Sequence, residues 1–227
     1  PPAGLNDARQ PLKAAMVANF RPQKDHNLLL QALARAPRAR ENLHVYLAGF
    51  DGDPEYMADC LKLVEALDLE ANVTFLGGRT DVPAILKAAD IGLLSSRSET
   101  GPLVLLEYMA AGLPFIATHT GHVAEKVAGE GLPFFSEPGD IRSYAENLEA
   151  IVALPAGDRA ALGEIGQELV RHEFDLRQKA GAFIRLYQEI LDPSEELHTP
   201  NRVLHSSSSE RIEQPKDRAF LAEDRIV

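Results

Sequence analysis

The stretch Ser95-Ser96-Arg97-Ser98-Glu99-Thr100-Gly101-Pro102-Leu103-Val104-Leu105-Leu106-Glu107 decides how this chain is read. The apolar run Ile91 to Leu94 comes just before it and ends in small polar residues. A loop with a carboxylate, a glycine and a proline follows. Then an apolar, helix-forming run begins at Leu103 and carries a second carboxylate, Glu107. A strand that ends in a tight loop and feeds a helix is where α/β proteins place ligands, outside the carboxyl ends of the strands and against a helix N-terminus.

The same alternation runs outward in both directions. Towards the N-terminus, Ala14 to Ala18 has the length of a buried strand, and Arg21 to His26 makes a polar turn. Leu28, Leu29, Leu30, Ala32, Leu33 and Ala36 keep a helical spacing that Pro37 should stop. Leu43 to Gly49 reads as a second strand. Asp53-Pro54 opens a helix, with Asp at the N-cap and Pro at the first helical position. Asn72 to Leu76 is a third strand, and Asp81 is placed to cap a short helix over 82–89. Beyond the focal stretch, Gly112-Leu113-Pro114 ends the helix and Phe115 to Thr118 is strand five. Val123 to Ala128 is a short helix, Leu132 to Phe135 is strand six, and helices follow over roughly 140–153, 157–172 and 175–191. Strands with apolar cores alternating with helices imply an α/β fold: a Rossmann-like, doubly wound parallel sheet of about six strands, helices on both faces, and extra helices at the C-terminal end.

Composition narrows the function classes. The 227 residues are 45% hydrophobic and 25% charged, which suits a globular chain. A net charge of -11 argues against nucleic acid and gives no indication of membrane contact. One cysteine, Cys60, rules out an internal disulfide or a multi-cysteine metal site and fits a cytoplasmic location. The chain begins with Pro rather than Met and reads as a piece of a longer protein. Residues 1–12 are the expected linker, 13–192 the domain, and 193–227, with a four-serine run at Ser206 to Ser209, a mobile or docking tail.

Three segments carry a resemblance. They are Val17 to His26; Phe75-Leu76-Gly77-Gly78-Arg79 with Asp81-Val82-Pro83 and Ala88 to Ile91; and Glu99 to Glu107, seven residues between the acids, followed by Tyr108 to Pro114. From Val17 to Leu191 the chain resembles the C-terminal half of family 4 ("group 1") retaining glycosyltransferases of the GT-B fold. The resemblance implies a donor-binding domain without its acceptor-binding half. The whole enzyme would move a sugar, hexosyl in type, from a nucleoside diphosphate sugar to an acceptor hydroxyl, with the anomeric configuration kept. The donor would be a UDP- or GDP-sugar. The acceptor, a glycan, lipid or small molecule, would bind through the missing half. No cofactor and no metal are expected, and the isolated chain should turn over little. Two other readings stand beside it: a non-catalytic nucleotide-sugar-binding module, and another GT-B enzyme such as a nucleotide-sugar epimerase.

The resemblance also distributes the roles. Lys24 is the expected cation for the diphosphate. The family's second cation, an Arg five residues earlier, is Asn19 here, and Arg21 is the nearest replacement. Taken alone, Lys24 and Arg21 read as solvated turn charges. Glu107 is expected to accept from the two ribose hydroxyls, a task that suits an acceptor-only carboxylate; an acid early in a helix also complements the macrodipole. Glu99 is expected at the sugar, near the reacting carbon, although by itself it reads as an exposed loop acid. The backbone N–H groups of Gly101, Leu103 and Val104 should face sugar and phosphates, and Pro102 has none to offer. Arg79 lies where the family approaches the base. Thr100 and Pro102 depart from the family's usual glycines. Asp51-Gly52-Asp53 and the pair His119/His122 hint at metal sites, but a turn with an N-cap explains the first. The second lacks a third ligand. Cys60, between Met57 and Leu61, reads as a partly buried thiol.

Overall fold

The structure, a computed structural model, describes residues 11–174 and 176–191. β1 (Leu12–Val17) passes through a 3-10 turn (Pro22–Lys24) into α1 (His26–Ala34) and α2 (Pro37–Asn42). Then come β2 (Leu43–Ala48), α3 (Pro54–Ala66), β3 (Val73–Gly77), α4 (Val82–Ala88), β4 (Ile91–Leu94) and α5 (Leu103–Ala110). β5 (Phe115–Thr118), α6 (Gly121–Ala128), β6 (Phe135–Ser136), α7 (Ile141–Ala153), α8 (Ala156–Glu173) and α9 (Leu176–Leu191) complete the order. The chain divides into two units between Gly181 and Ala182, and of the second only Ala182–Leu191, the end of α9, is described. The expected tail, and the expected linker apart from Pro11 and Leu12, lie outside the described residues.

The six strands form one parallel sheet in the order β3-β2-β1-β4-β5-β6. Successive side chains of a strand point to opposite faces, and β1 divides its residues accordingly. Ala14 and Met16 join the core under α1, α3 and α7, and Ala15 and Val17 join the core under α4, α5, α6 and α8. Both faces are covered, so the strands are apolar throughout, as a parallel sheet requires. Leu29, Leu30, Leu47 and Leu93 are wholly buried, each contributing about 1.5–3 kcal/mol of transfer free energy.

Three expectations are corrected. Pro37 ends α1 but also opens α2 at its first helical position, where a missing N–H costs nothing. The sixth strand is Phe135–Ser136 rather than Leu132 to Phe135; Leu132 and Phe134 are buried as core anchors from the connecting loop. Asp81 precedes α4 but makes no side-chain cap, because its carboxylate is held elsewhere. Asp53 does cap α3, accepting from the Tyr56 N–H at 3.1 Å.

The strand order has a functional consequence. β1 feeds α1 on one face of the sheet, and its neighbour β4 feeds α5 on the other. The two loops part at the carboxyl edge between β1 and β4. That is the topological switch point, where open α/β sheets bind ligands.

Candidate functional site at the switch point

The loop after β1 and the loop after β4 meet at this edge and are laced together. Arg97 N–H donates to Gln23 O at 2.8 Å, and Gln23 Nε2 donates to Ser98 O at 2.8 Å. Buried Ser95 donates to Lys24 O at 3.0 Å. Asp25 stands at φ 47, a left-handed conformation that short polar side chains tolerate. Its carboxylate caps α1 through the Leu28 N–H and holds the Arg97 guanidinium at 2.8 Å. This pairing keeps Arg97 protonated even more firmly than usual.

Within that frame the two principal sequence candidates touch. Lys24 Nζ lies 2.5 Å from Glu99 Oε1, and the same oxygen accepts from Ser96 Oγ at 2.7 Å. Ser96 is itself buried, with its carbonyl held by Thr118 Oγ1 at 2.7 Å. A cation and a carboxylate are thus paired at the mouth of the switch point.

The other candidates spread along the same edge. Leu103 and Val104 open α5; the Leu103 side chain is exposed, and neither N–H has a partner among the described residues. Gly101 is covered by His122, whose Cε1 lies 2.4 Å from where a β-carbon on Gly101 would stand. His122 Nδ1 is 2.6 Å from Thr100 O. A carbonyl only accepts, so Nδ1 donates, and Nε2 lies on the exposed side of the ring. Glu107 is exposed, its carboxylate accepts no hydrogen bond among the described residues, and it lines a groove of about 680 Å³ between α4 and α5 with Val82, Pro83 and Lys87.

Two candidates stand apart from the Lys24–Glu99 pair. Arg21 runs over Gly52, its Nε 2.8 Å from the place a β-carbon there would take. Arg79 is forked onto Asp81 by bonds of 2.8 and 2.7 Å. The fork raises the pKa of the guanidinium and lowers that of the carboxyl, and it is the reason Asp81 does not cap α4. Asn19, in the position of the family's Arg, spends its Oδ1 on the Phe50 N–H at 3.1 Å.

The signals set aside in the sequence also have places. His119 faces Glu137 at 3.7 Å, and among the described residues no cluster of three or more His, Cys, Asp and Glu is built for a metal. Cys60 is fully buried beside Asn27, and loss of hydration pushes its thiol up to about 11, so it is no nucleophile. No described helix is long and apolar enough to cross a membrane. Sequence reasoning missed Ser96 and the Asp25–Arg97 pair. The serine had a signal, its place directly after the strand; the pair had none.

A family model described as glycosyl transferases group 1 matches residues 4–169. The chain belongs to that family. It is 32% identical over 176 residues to the N-acetyl-alpha-D-glucosaminyl L-malate synthase of Bacillus anthracis, covering 77% of this chain and 45% of that protein. The chain thus spans about half the length of the relatives it matches. Among solved structures it is similar to HepE of Anabaena in complex with UDP-glucose, with a TM-score of 0.71 at 23% identity, covering 79% of this chain and 49% of that one. It is also similar to the C-terminal domain of the group 1 glycosyl transferase LpcC of Francisella tularensis, with a TM-score of 0.66 at 20% identity, covering 75% of this chain and 90% of that one. At those identities the structural likeness concerns the fold, which is the Rossmann-like GT-B fold.

Proposed function

We infer that this chain is the donor-binding half of a retaining glycosyltransferase, which moves a hexosyl-type sugar from a nucleoside diphosphate to an acceptor hydroxyl. The observation that carries the reading is the Lys24–Glu99 pair at the switch point, on the same edge as the open N-terminus of α5. The HepE complex with UDP-glucose supports a UDP-sugar as the donor class.

The chemistry is that of a departing anion. As the bond between sugar and diphosphate breaks, negative charge grows on the diphosphate and positive charge on the anomeric carbon. Lys24 and the N–H groups of Leu103 and Val104 stabilise the first. Glu99 holds sugar hydroxyls and faces the second. Glu107 accepts from the vicinal ribose hydroxyls with its two oxygens. None of these steps calls on a metal. The other half of the enzyme brings the acceptor, so the isolated chain binds donor but turns it over little. The single buried cysteine fits a cytoplasmic setting.

Calorimetric titration with UDP, GDP, ADP and their glucose or mannose conjugates tests the reading. One nucleotide should bind. Glu107→Ala should weaken the nucleoside, and Lys24→Ala should weaken diphosphates more than the monophosphate. Indifference of the wild-type chain to every compound overturns it.

A further inference from the structure

Phe50 is an oddity of the surface. The residue is 58% exposed, and among the described residues from 11 to 174 it is the one exposed large aromatic. An aromatic ring left in water forfeits the transfer free energy that burial would give it. Its backbone is nevertheless fixed on both sides. The Phe50 N–H donates to Asn19 Oδ1 at 3.1 Å, and the Phe50 carbonyl accepts from the Phe20 N–H at 3.0 Å. The ring lies against Gly78, so closely that a β-carbon there would stand 2.3 Å from it. One side of the ring is thus seated on the backbone at the end of β3, and the rest is open to water.

The position is as informative as the exposure. Phe50 follows β2 directly and sits on the carboxyl edge, beside the turn that carries Lys24 and against the loop Gly77-Gly78-Arg79. Arg79, the charged residue of that loop, is folded onto Asp81. What the loop offers a ligand is therefore a flat apolar surface. Asn19 also gains a purpose: where a second phosphate-binding cation was expected, a short amide instead anchors the residue that carries the ring.

We propose that Phe50 is the platform on which the base of the bound nucleotide stacks. The proposal rests on the nucleotide-sugar reading above and deepens it. A rigid ring with two side-chain torsions is ordered at little entropic cost. Base–aromatic stacking tolerates any base, because every base has a π-face. Phe50 therefore supplies affinity for the nucleoside, and the choice of base falls to the polar groups around its edge.

The chain contains no tryptophan, so Phe50→Trp places its sole tryptophan, excited selectively, at the platform. The nucleoside diphosphate that binds should quench it along its binding isotherm, and inorganic pyrophosphate and ribose 5-phosphate should not. Phe50→Ala should weaken the preferred nucleoside diphosphate about tenfold by calorimetry, with pyrophosphate unaffected. Gly78→Ala, which pushes the ring off its seat, should abolish the quenching in the Phe50→Trp background. If the wild-type chain binds UDP while the tryptophan stays silent and Phe50→Ala binds UDP as the wild type does, the platform is refuted and the nucleotide-sugar reading survives. If the wild-type chain binds no nucleotide, both fall.

Discussion

A double-mutant cycle on Lys24 and Glu99 tests whether their pairing is built into the free protein. The two side chains keep 26% and 11% of their exposure. Fully exposed pairs couple by roughly 0.5 kcal/mol. Removing one partner of a fully buried pair costs about 3–5 kcal/mol. This pair lies between those limits, and Glu99 retains the Ser96 hydroxyl as a donor at 2.7 Å when Lys24 is lost. Lys24→Met should therefore destabilise the fold by about 1.5 kcal/mol and Glu99→Gln by about 1 kcal/mol, with a coupling energy of about 1 kcal/mol. In thermal melts that is a loss of about 5 °C and about 3 °C, with the double variant falling short of the sum by about 3 °C. The same proteins separate the two roles. Lys24→Met should weaken UDP about tenfold, because a charge-assisted bond to phosphate is lost. Glu99→Gln removes a like charge beside the diphosphate. It should tighten UDP about threefold while weakening the UDP-sugar. Strictly additive melts would refute the pairing. Weaker UDP binding by Glu99→Gln would refute the division of labour between the two residues.

Three further outcomes are expected from the geometry. His26 is fully buried, neither ring nitrogen makes a well-formed hydrogen bond among the described residues, and burial lowers its pKa from 6.5 to about 4 against a smaller opposing pull from the nearby Ala18 backbone. The unfolded chain takes up this proton near pH 6.5 and the folded one only near 4, so stability is complete above that window and falls by about 3 kcal/mol across it as pH drops. His26→Phe, which can keep the stack on Phe20 at 4.4 Å between centroids, should flatten that decline in urea titrations at a series of pH values. Gly163→Ala would place a β-carbon 2.0 Å from the Gly112 carbonyl, where α8 crosses the end of α5, and should cost about 2–3 kcal/mol in urea unfolding. Gly157→Ala in the same helix meets nothing within 4 Å and should be neutral or stabilise by up to about 1 kcal/mol. His122→Ala should weaken the UDP-sugar several-fold by calorimetry and leave UDP unchanged, because its ring buttresses Gly101 and Thr100 rather than the phosphate cation.

Much of the fold was legible because its local signals do not conflict. The strands are short apolar runs between turn residues, and Asp53-Pro54 announces α3 with two independent signs. The misses share a cause. Pro37 satisfies both the rule for ending a helix and the rule for starting one, and only the chain beyond it, Arg38 to Asn42, decides that it does both. Leu132 to Phe135 is apolar because Leu132 and Phe134 are buried, but burial does not make a strand. Pro133 lacks an N–H for a ladder, and pairing with β5 begins only at Phe135. The strand order itself is a matter of which strands lie side by side, and no local pattern encodes that.

The candidate residues can be named from the sequence, but their arrangement cannot. Lys24 and Glu99 carry opposite expected tasks, phosphate and sugar, and nothing in the sequence says that two residues 75 positions apart touch. Their contact follows from the strand order. Because β1 and β4 are neighbours that send their chains to opposite faces, the loop after each leans against the other. For Arg79 the contact that sequence reading overlooked is a local one. Its partner Asp81 is two residues away and in plain view, but each had been given a separate duty, the base for one and the helix cap for the other. Paired, Asp81 does not cap α4, and the Arg79 guanidinium is held beside the loop that carries Gly78 and the ring of Phe50. Charge in a sequence therefore marks where a site is, and its pairing in the fold decides which charges remain for a ligand. At this edge Lys24 and Glu99 satisfy each other in the free protein. A diphosphate sugar, which brings an anion for the lysine and hydroxyl donors for the glutamate, can replace that pair without stranding either charge.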